Sequence, residues 1–162
     1  MEINNRFKTE VREITEKDQK KLISFAVLTD LPEWFGLPDS TKEYIEESSE
    51  MPFFASYYGG ELTGFAALNE TGPQVADVFV MGVLKKYHGK GSGKALMRYF
   101  EEYAKAHNYQ FLQVKTVEMG RYEQYDRTNR FYRSCGFTEF EVFPDLWDVW
   151  NPCQIYIRYI GL

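Results

Sequence analysis

Hydrophobic and polar positions alternate along this chain with periods that predict its elements in turn. Phe7 to Ile14 alternates as an opening strand. Thr15 with Asp18 supplies a helix start, and Leu22, Ile23, Ala26 and Val27 form the apolar face of a helix running to about Leu28. Asp30 to Asp39 (DLPEWFGLPD) holds two prolines and a glycine and reads as a loop. Ser40-Thr41-Lys42-Glu43 has the form of a capping box, whose hydroxyl and carboxylate cover free amides at a helix start, and a short helix to about Ser49 follows. Met51 to Tyr58 and Glu61 to Leu68 flank Gly59-Gly60, a pair that accepts the positive φ of a tight hairpin turn. Asn69 to Pro73 predicts another turn.

Asp77 to Leu84 (DVFVMGVL) is a nearly continuous apolar run, as in a strand buried on both faces, and it leads straight into a group of glycines. After Gly93, apolar residues at Ala95, Leu96, Tyr99, Phe100, Tyr103 and Ala104 keep a helical period to about His107. Phe111 to Val117 reads as the next strand. Thr128 to Cys135 has room for a two-turn helix ended by Gly136, and Thr138 to Phe143 and Gln154 to Ile160 read as two last strands. The order predicts an α+β (mixed α/β) fold. No internal repeat, low-complexity tract or linker interrupts it, so a single domain spanning residues 1–162 is expected.

Composition narrows the class. With 44% hydrophobic residues, 27% charged and 13 Phe, 12 Tyr and 3 Trp, the chain can bury a sizeable core, which disfavours disorder, collagen and coiled coil. No apolar run approaches the ~18 residues of a membrane span, and MEINNRFKTEVRE lacks a signal-peptide core, so a cytoplasmic protein without a membrane partner is expected. Cys135 and Cys153 are too few for a disulfide framework or a zinc site; buried thiols and no metal are expected.

A net charge of −5 argues against a surface devoted to nucleic acid. That average conceals one segment. From Val78 to Phe100 there is no carboxylate, while Lys85, Lys86, Lys90, Lys94 and Arg98 carry five positive charges, with His88 among them. The rest of the chain therefore carries −10. The same segment holds Gly89, Gly91 and Gly93. A strand feeding a glycine turn and then a helix start is an anion site, because free amides point outward, the helix dipole adds partial positive charge, and glycine lets a ligand approach the backbone. Phosphate is the natural guest. The P-loop pattern fails, since Gly93-Lys94 is followed by Ala95 and His88 stands where the first glycine belongs; the dinucleotide fingerprint fails on glycine spacing and on its mid-chain position. Charge alone leaves a solvated basic helix start as the alternative.

His88-Gly89-Lys90-Gly91-Ser92-Gly93, preceded by Val80-Met81-Gly82-Val83, resembles the coenzyme-A-binding signature of the GNAT N-acetyltransferase superfamily, with His88 where Arg or Gln is usual. Thr128-Asn129-Arg130-Phe131-Tyr132-Arg133-Ser134-Cys135-Gly136-Phe137 resembles a second signature of that superfamily. Leu146-Trp147-Asp148 and Asn151-Pro152-Cys153 resemble the C-terminal region of bacterial members often labelled aminoglycoside-acetyltransferase-like. The resemblance implies a central, mostly antiparallel twisted sheet flanked by helices, and direct acetyl transfer from acetyl-CoA to an amine in a ternary complex. It places the pantetheine along Met81 and Val83, the pyrophosphate on the amides of Gly89, Lys90, Gly91, Ser92 and Gly93 with His88 and Lys94 beside it, and Asn129 against the cofactor. Lys85, Lys86 and Lys90 face either the ribose phosphate or solvent.

Tyr132 stands where the superfamily often protonates the departing thiolate; the alternative is a core tyrosine. The amine arrives protonated, with a reference pKa of about 10.4 for a lysine-like group, so a base is required. Glu118, following the strand Phe111 to Val117, is the first candidate, with Glu70, Asp77, Asp145 and Asp148 as rivals, while a dipole contact at a helix end accounts for His107. Two aromatic and acidic loops, around Glu33 and Trp34 and around Trp147 and Asp148, combine π-faces with carboxylates and suit a small-molecule amine. The alternative is that these rings pack the sheet ends. Other functions left open are a protein N-terminal or lysine acetyltransferase and a non-catalytic coenzyme-A-binding module; a homodimer is an expectation from the resemblance, and no nucleic-acid partner is expected.

Overall fold

The computed structural model describes residues 8–161, so Phe7 of the expected opening strand lies outside the described residues. The elements are β1 (Thr9–Ile14), α1 (Lys17–Thr29), α2 (Pro38–Ser48), β2 (Phe53–Tyr58), β3 (Glu61–Gly72), β4 (Val75–Val83), α3 (Ser92–Ala106), β5 (Phe111–Val117), α4 (Glu123–Ser134), β6 (Thr138–Asp148) and β7 (Asn151–Tyr159), with a 3-10 turn at Lys85–Tyr87. Seven strands form one sheet in the order β1-β2-β3-β4-β5-β7-β6. Pairs β1–β2, β2–β3, β5–β7 and β6–β7 are antiparallel, and β4–β5 is parallel. This is the mostly antiparallel α+β architecture expected from the element order and the resemblance. No helix among the described residues is long and apolar enough to cross a membrane.

Several boundaries differ from those the local sequence predicts. Helix α2 starts at Pro38, whose ring suits the first helical position, so Ser40 lies inside the helix and the capping box does not form. Helix α1 likewise takes Glu16 rather than Thr15 as its N-cap, without a side-chain cap bond. Strand β3 runs through Asn69 to Gly72, and the turn falls at Pro73-Gln74. Helix α4 begins five residues before Thr128, and β6 continues through Pro144 to Asp148 where a loop was expected. The hairpin between β2 and β3 follows the prediction: Gly59 and Gly60 take φ of 59° and 84°.

The chain forms two compact units: residues up to Leu68 together with Val80–Glu102, and Asn69–Phe79 together with the residues from Tyr103 onward. In the first, Phe53 of β2 stacks on Phe65 of β3 at 5.0 Å, and Phe54 meets Phe100 of α3 edge-on at 5.9 Å. Close approach governs the middle strands. A Cβ at Gly82 would lie 2.9 Å from Val27 and 3.0 Å from Leu31, so glycine there lets Val27 of α1 and Leu31 just beyond it sit on β4. One at Gly64 would lie 2.5 Å from the Gly82 carbonyl oxygen, so glycine there keeps β3 against β4. In the second unit, Leu112, Val114, Cys153 and Tyr156 are buried, and Tyr132 packs against Phe131, Phe137 and Tyr156 at 5.4, 5.7 and 6.3 Å.

Candidate active site

The first unit carries the glycine turn. Gly89 and Gly91 have φ of 72° and 91°, and a Cβ at either would meet nothing within 4 Å, so the turn is both left-handed and open on its outer side. Helix α3 follows at once, and its first main-chain bond runs from Ala95 N to Gly91 O, so the amides of Ser92 and Gly93 precede that bond at the helix start. Ser92 is buried beneath the turn; Lys90 and Lys94 are exposed. Backbone donors, positive φ glycines and adjacent cations thus lie together in this turn. Immediately before it, Met81 and Val83 are half-buried on β4. The β4–β5 ladder covers only Val75–Val78 against Phe111–Val114, and so stops short of both residues.

Charge in this segment is partly committed. Lys85 pairs with Glu33, and Lys86 lies 3.9 Å from Glu61. Asp30 accepts a hydrogen bond from the Lys85 amide at 2.8 Å. His88, where a side chain toward phosphate was expected, instead places Nε2 2.7 Å from the Val83 carbonyl oxygen, and the Trp34 ring meets the imidazole edge-on at 6.0 Å. Thus Glu33 and Trp34, expected to face an amine, are both engaged with the segment that follows β4.

The second unit carries the acid–base candidates. Tyr132 is buried on α4, and burial drives its phenol well above the ordinary tyrosine range, with the neighbouring Cys135 and Asp77 adding to the effect. Asn129 was expected to contact the cofactor, and the structure corrects this. The side chain is fully buried; Nδ2 donates to the Val117 and Tyr125 carbonyls at 2.8 and 2.7 Å, and Oδ1 accepts from the Tyr156 hydroxyl at 2.6 Å. Its hydrogen-bonding groups thus tie α4 to the end of β5 and to β7, leaving none presented to a ligand. Arg133 extends this network, donating to Tyr156 at 3.3 Å and pairing with Glu139.

Glu118 follows β5, donates its amide to the Pro152 carbonyl at 2.9 Å, and has Arg121 3.7 Å from its carboxylate. Asp77 is buried, accepts from Gln113 at 3.0 Å, and has its carboxyl raised above the usual range by desolvation. Trp147 and Asp148 lie at the end of β6. Between the pairs Phe143–Cys153 and Asp148–Asn151, four residues of β6 oppose the single Pro152, so Pro144–Trp147 arches out of the ladder with Leu146 and Trp147 exposed. Asp148 Oδ1 accepts from the Trp150 and Asn151 amides at 2.9 and 3.0 Å and from Asn151 Nδ2 at 3.0 Å, and these bonds, the side-chain one foremost, hold its carboxyl below the usual range. It closes its own turn.

Local sequence did not single out Asp30 or Tyr156. Asp30 follows a helix end, and Tyr156 is one of twelve tyrosines, so neither carried a signal separable from ordinary loop and core usage.

Known proteins share the family and the fold of this chain. A family model described as the acetyltransferase (GNAT) family matches residues 11–137. An uncharacterized N-acetyltransferase of Halalkalibacterium halodurans is 31% identical over 109 residues, covering 61% of this chain and 57% of that protein's length. The match thus spans less than two thirds of that relative. A GNAT-family protein of Desulfovibrio desulfuricans shares the fold with a TM-score of 0.79 at 17% identity, over 95% of this chain and all of that one. An aminoglycoside 6′-N-acetyltransferase complexed with coenzyme A gives 0.76 at 17% identity, over 94% of this chain and 98% of that one. With both motifs inside the matched region, the chain belongs to the acetyltransferase (GNAT) family.

Proposed function

We propose that this protein transfers the acetyl group of acetyl-CoA to a primary amine of a small molecule by direct attack in a ternary complex. The observation that carries the donor side is the turn Gly89–Gly93, with two left-handed glycines opening outward before the start of α3. Its amides bind the pyrophosphate, with Lys90 and Lys94 adding positive charge. The pantetheine lies along Met81 and Val83, beyond the last β4–β5 pair, as an added strand.

The amine nitrogen attacks the thioester carbonyl carbon, the C–S bond breaks, and the sulfur leaves with the bond's electron pair. Tyr132 gives that thiolate its proton. Burial keeps the phenol protonated at neutral pH, so it holds a proton to give. Glu118 takes the ammonium proton before attack, and the second proton, lost from nitrogen as the amide forms, restores the Tyr132 phenol. The small-molecule acceptor is supported by the acidic balance of the chain outside the donor segment and by the aminoglycoside-modifying protein among its structural neighbours. Trp147, exposed on β6, supplies apolar surface to it.

Thiol release from acetyl-CoA, measured against a panel of primary amines, tests this. Gly91→Glu sets a carboxylate against the diphosphate and is expected to abolish coenzyme A binding. Tyr132→Phe is expected to bind normally and turn over about 100-fold more slowly, the usual scale of a lost general acid. Undiminished coenzyme A affinity in Gly91→Glu would overturn the assignment of the donor site.

A further inference from the structure

A hydrogen bond closes the far end of β4 and bears on how the donor docks; its consequence rests on the donor site proposed above. Leu84 donates its amide to the Thr63 carbonyl of β3 at 2.8 Å. Since successive residues of a strand direct their N–H and C=O to opposite edges, Val83 and Met81 direct theirs away from β3. On that edge the Val83 carbonyl is already taken, with His88 Nε2 2.7 Å away. A carbonyl oxygen only accepts, so Nε2 carries the proton and donates it. The His88 amide in turn bonds the Lys85 carbonyl at 3.1 Å, and Trp34 meets the imidazole edge-on, so turn and ring are held on both sides.

We infer that His88 is a positioning residue that sets the register of the donor: by occupying the Val83 carbonyl it ends strand addition there and leaves Met81 N–H, Met81 C=O and Val83 N–H as the groups offered to the pantetheine. The imidazole acts on the amide-bearing arm through β4, and it does not bind the diphosphate. Freed of the ring, the Val83 carbonyl competes for the pantetheine amide and the arm samples a second register.

The two roles separate by ligand. Coenzyme A carries the pantetheine arm; ADP carries the diphosphate without it. For His88→Ala and His88→Phe, calorimetry is expected to show coenzyme A affinity reduced about three- to tenfold, the worth of one net hydrogen bond, with ADP affinity unchanged. His88→Gln, which keeps an N–H donor, is expected to recover part of the loss. Equal loss for both ligands would place His88 on phosphate, and no loss for either would remove any positioning role; both results overturn the inference. A ligand-free measurement stands apart from the donor assignment: a 15N–1H spectrum of the His88 ring is expected to show the proton on Nε2, and a neutral ring protonated on Nδ1 alone overturns the inference. A wild-type protein that binds neither nucleotide, with the Nε2–H ring intact, would instead refute the donor site itself.

Discussion

Gly64→Ala gives the sharpest test of how β3 and β4 are held together. The added Cβ would lie 2.5 Å from the Gly82 carbonyl oxygen, 3.1 Å from Val83 Cα and 3.2 Å from Ser56 Oγ. The first two are main-chain atoms and cannot rotate aside. A carbon beside a carbonyl oxygen settles no closer than about 3.3 Å, so about 0.8 Å must be found by moving one strand from the other. Misfits of this kind in a packed core cost about 1–3 kcal/mol, and the backbone origin of the clash puts Gly64→Ala at the upper end. For a chain of this size, at about 2–4 °C per kcal/mol, the melting temperature should fall by roughly 5–10 °C. Because Gly82 lies between Met81 and Val83, whose main-chain groups are offered to the donor, the KM for acetyl-CoA should rise as well. Gly72→Ala is the control: its Cβ would meet Val75 at an ordinary 3.7 Å, and its melting temperature should stay near wild type. If the two variants melt together, the steric account of Gly64 is wrong.

Asp77→Asn should stabilise the protein at neutral pH while keeping the acceptor for Gln113. Burial raises the Asp77 carboxyl above its unfolded value, so the folded state holds the proton more tightly; wild-type stability from this group therefore declines as pH rises from the ordinary carboxylate range through the folded value. Urea midpoints compared at pH 4 and pH 7.5 should show the Asn variant's advantage only at the higher pH, and parallel profiles would remove Asp77 from the account. The Cys153 thiol is fully buried and pushed up to about 11 by burial, whereas Cys135 is half-buried. Native protein at pH 8 should therefore label at Cys135 first, with Cys153 reacting only in denaturant, as read by mass spectrometry. Prompt labelling of Cys153 in the native state would contradict its placement in the core.

The order of elements was legible because each apolar stripe is long enough to show its period, and the glycine turn because a carboxylate-free segment and three glycines coincide. What escaped depended on contacts between distant residues or on polar stretches that are nonetheless ordered. The start of α4 (Glu123 to Arg127) is hydrophilic and shows no apolar period, since Asn129 and Tyr132 are the buried residues of that helix. The extension of β6 was hidden by Pro144, which lacks an N–H for a ladder but fits an arch. The Ser40–Glu43 pattern suggested a helix start that Pro38 pre-empts. Within the site, the left-handed glycines could be anticipated from residue type. The uses of Asn129 and His88 could not, because each depends on which carbonyl its side chain reaches.

The arch of β6 has a consequence for how this scaffold tolerates change. Its four residues stand outside the ladder, the Phe143–Cys153 pair fixes one foot, and the Asp148 turn fixes the other without drawing on them. Insertions, deletions or whole replacements between these feet leave every flanking strand bond in place, so the segment can be swapped as a cassette and libraries built there should fold at the parent's yield.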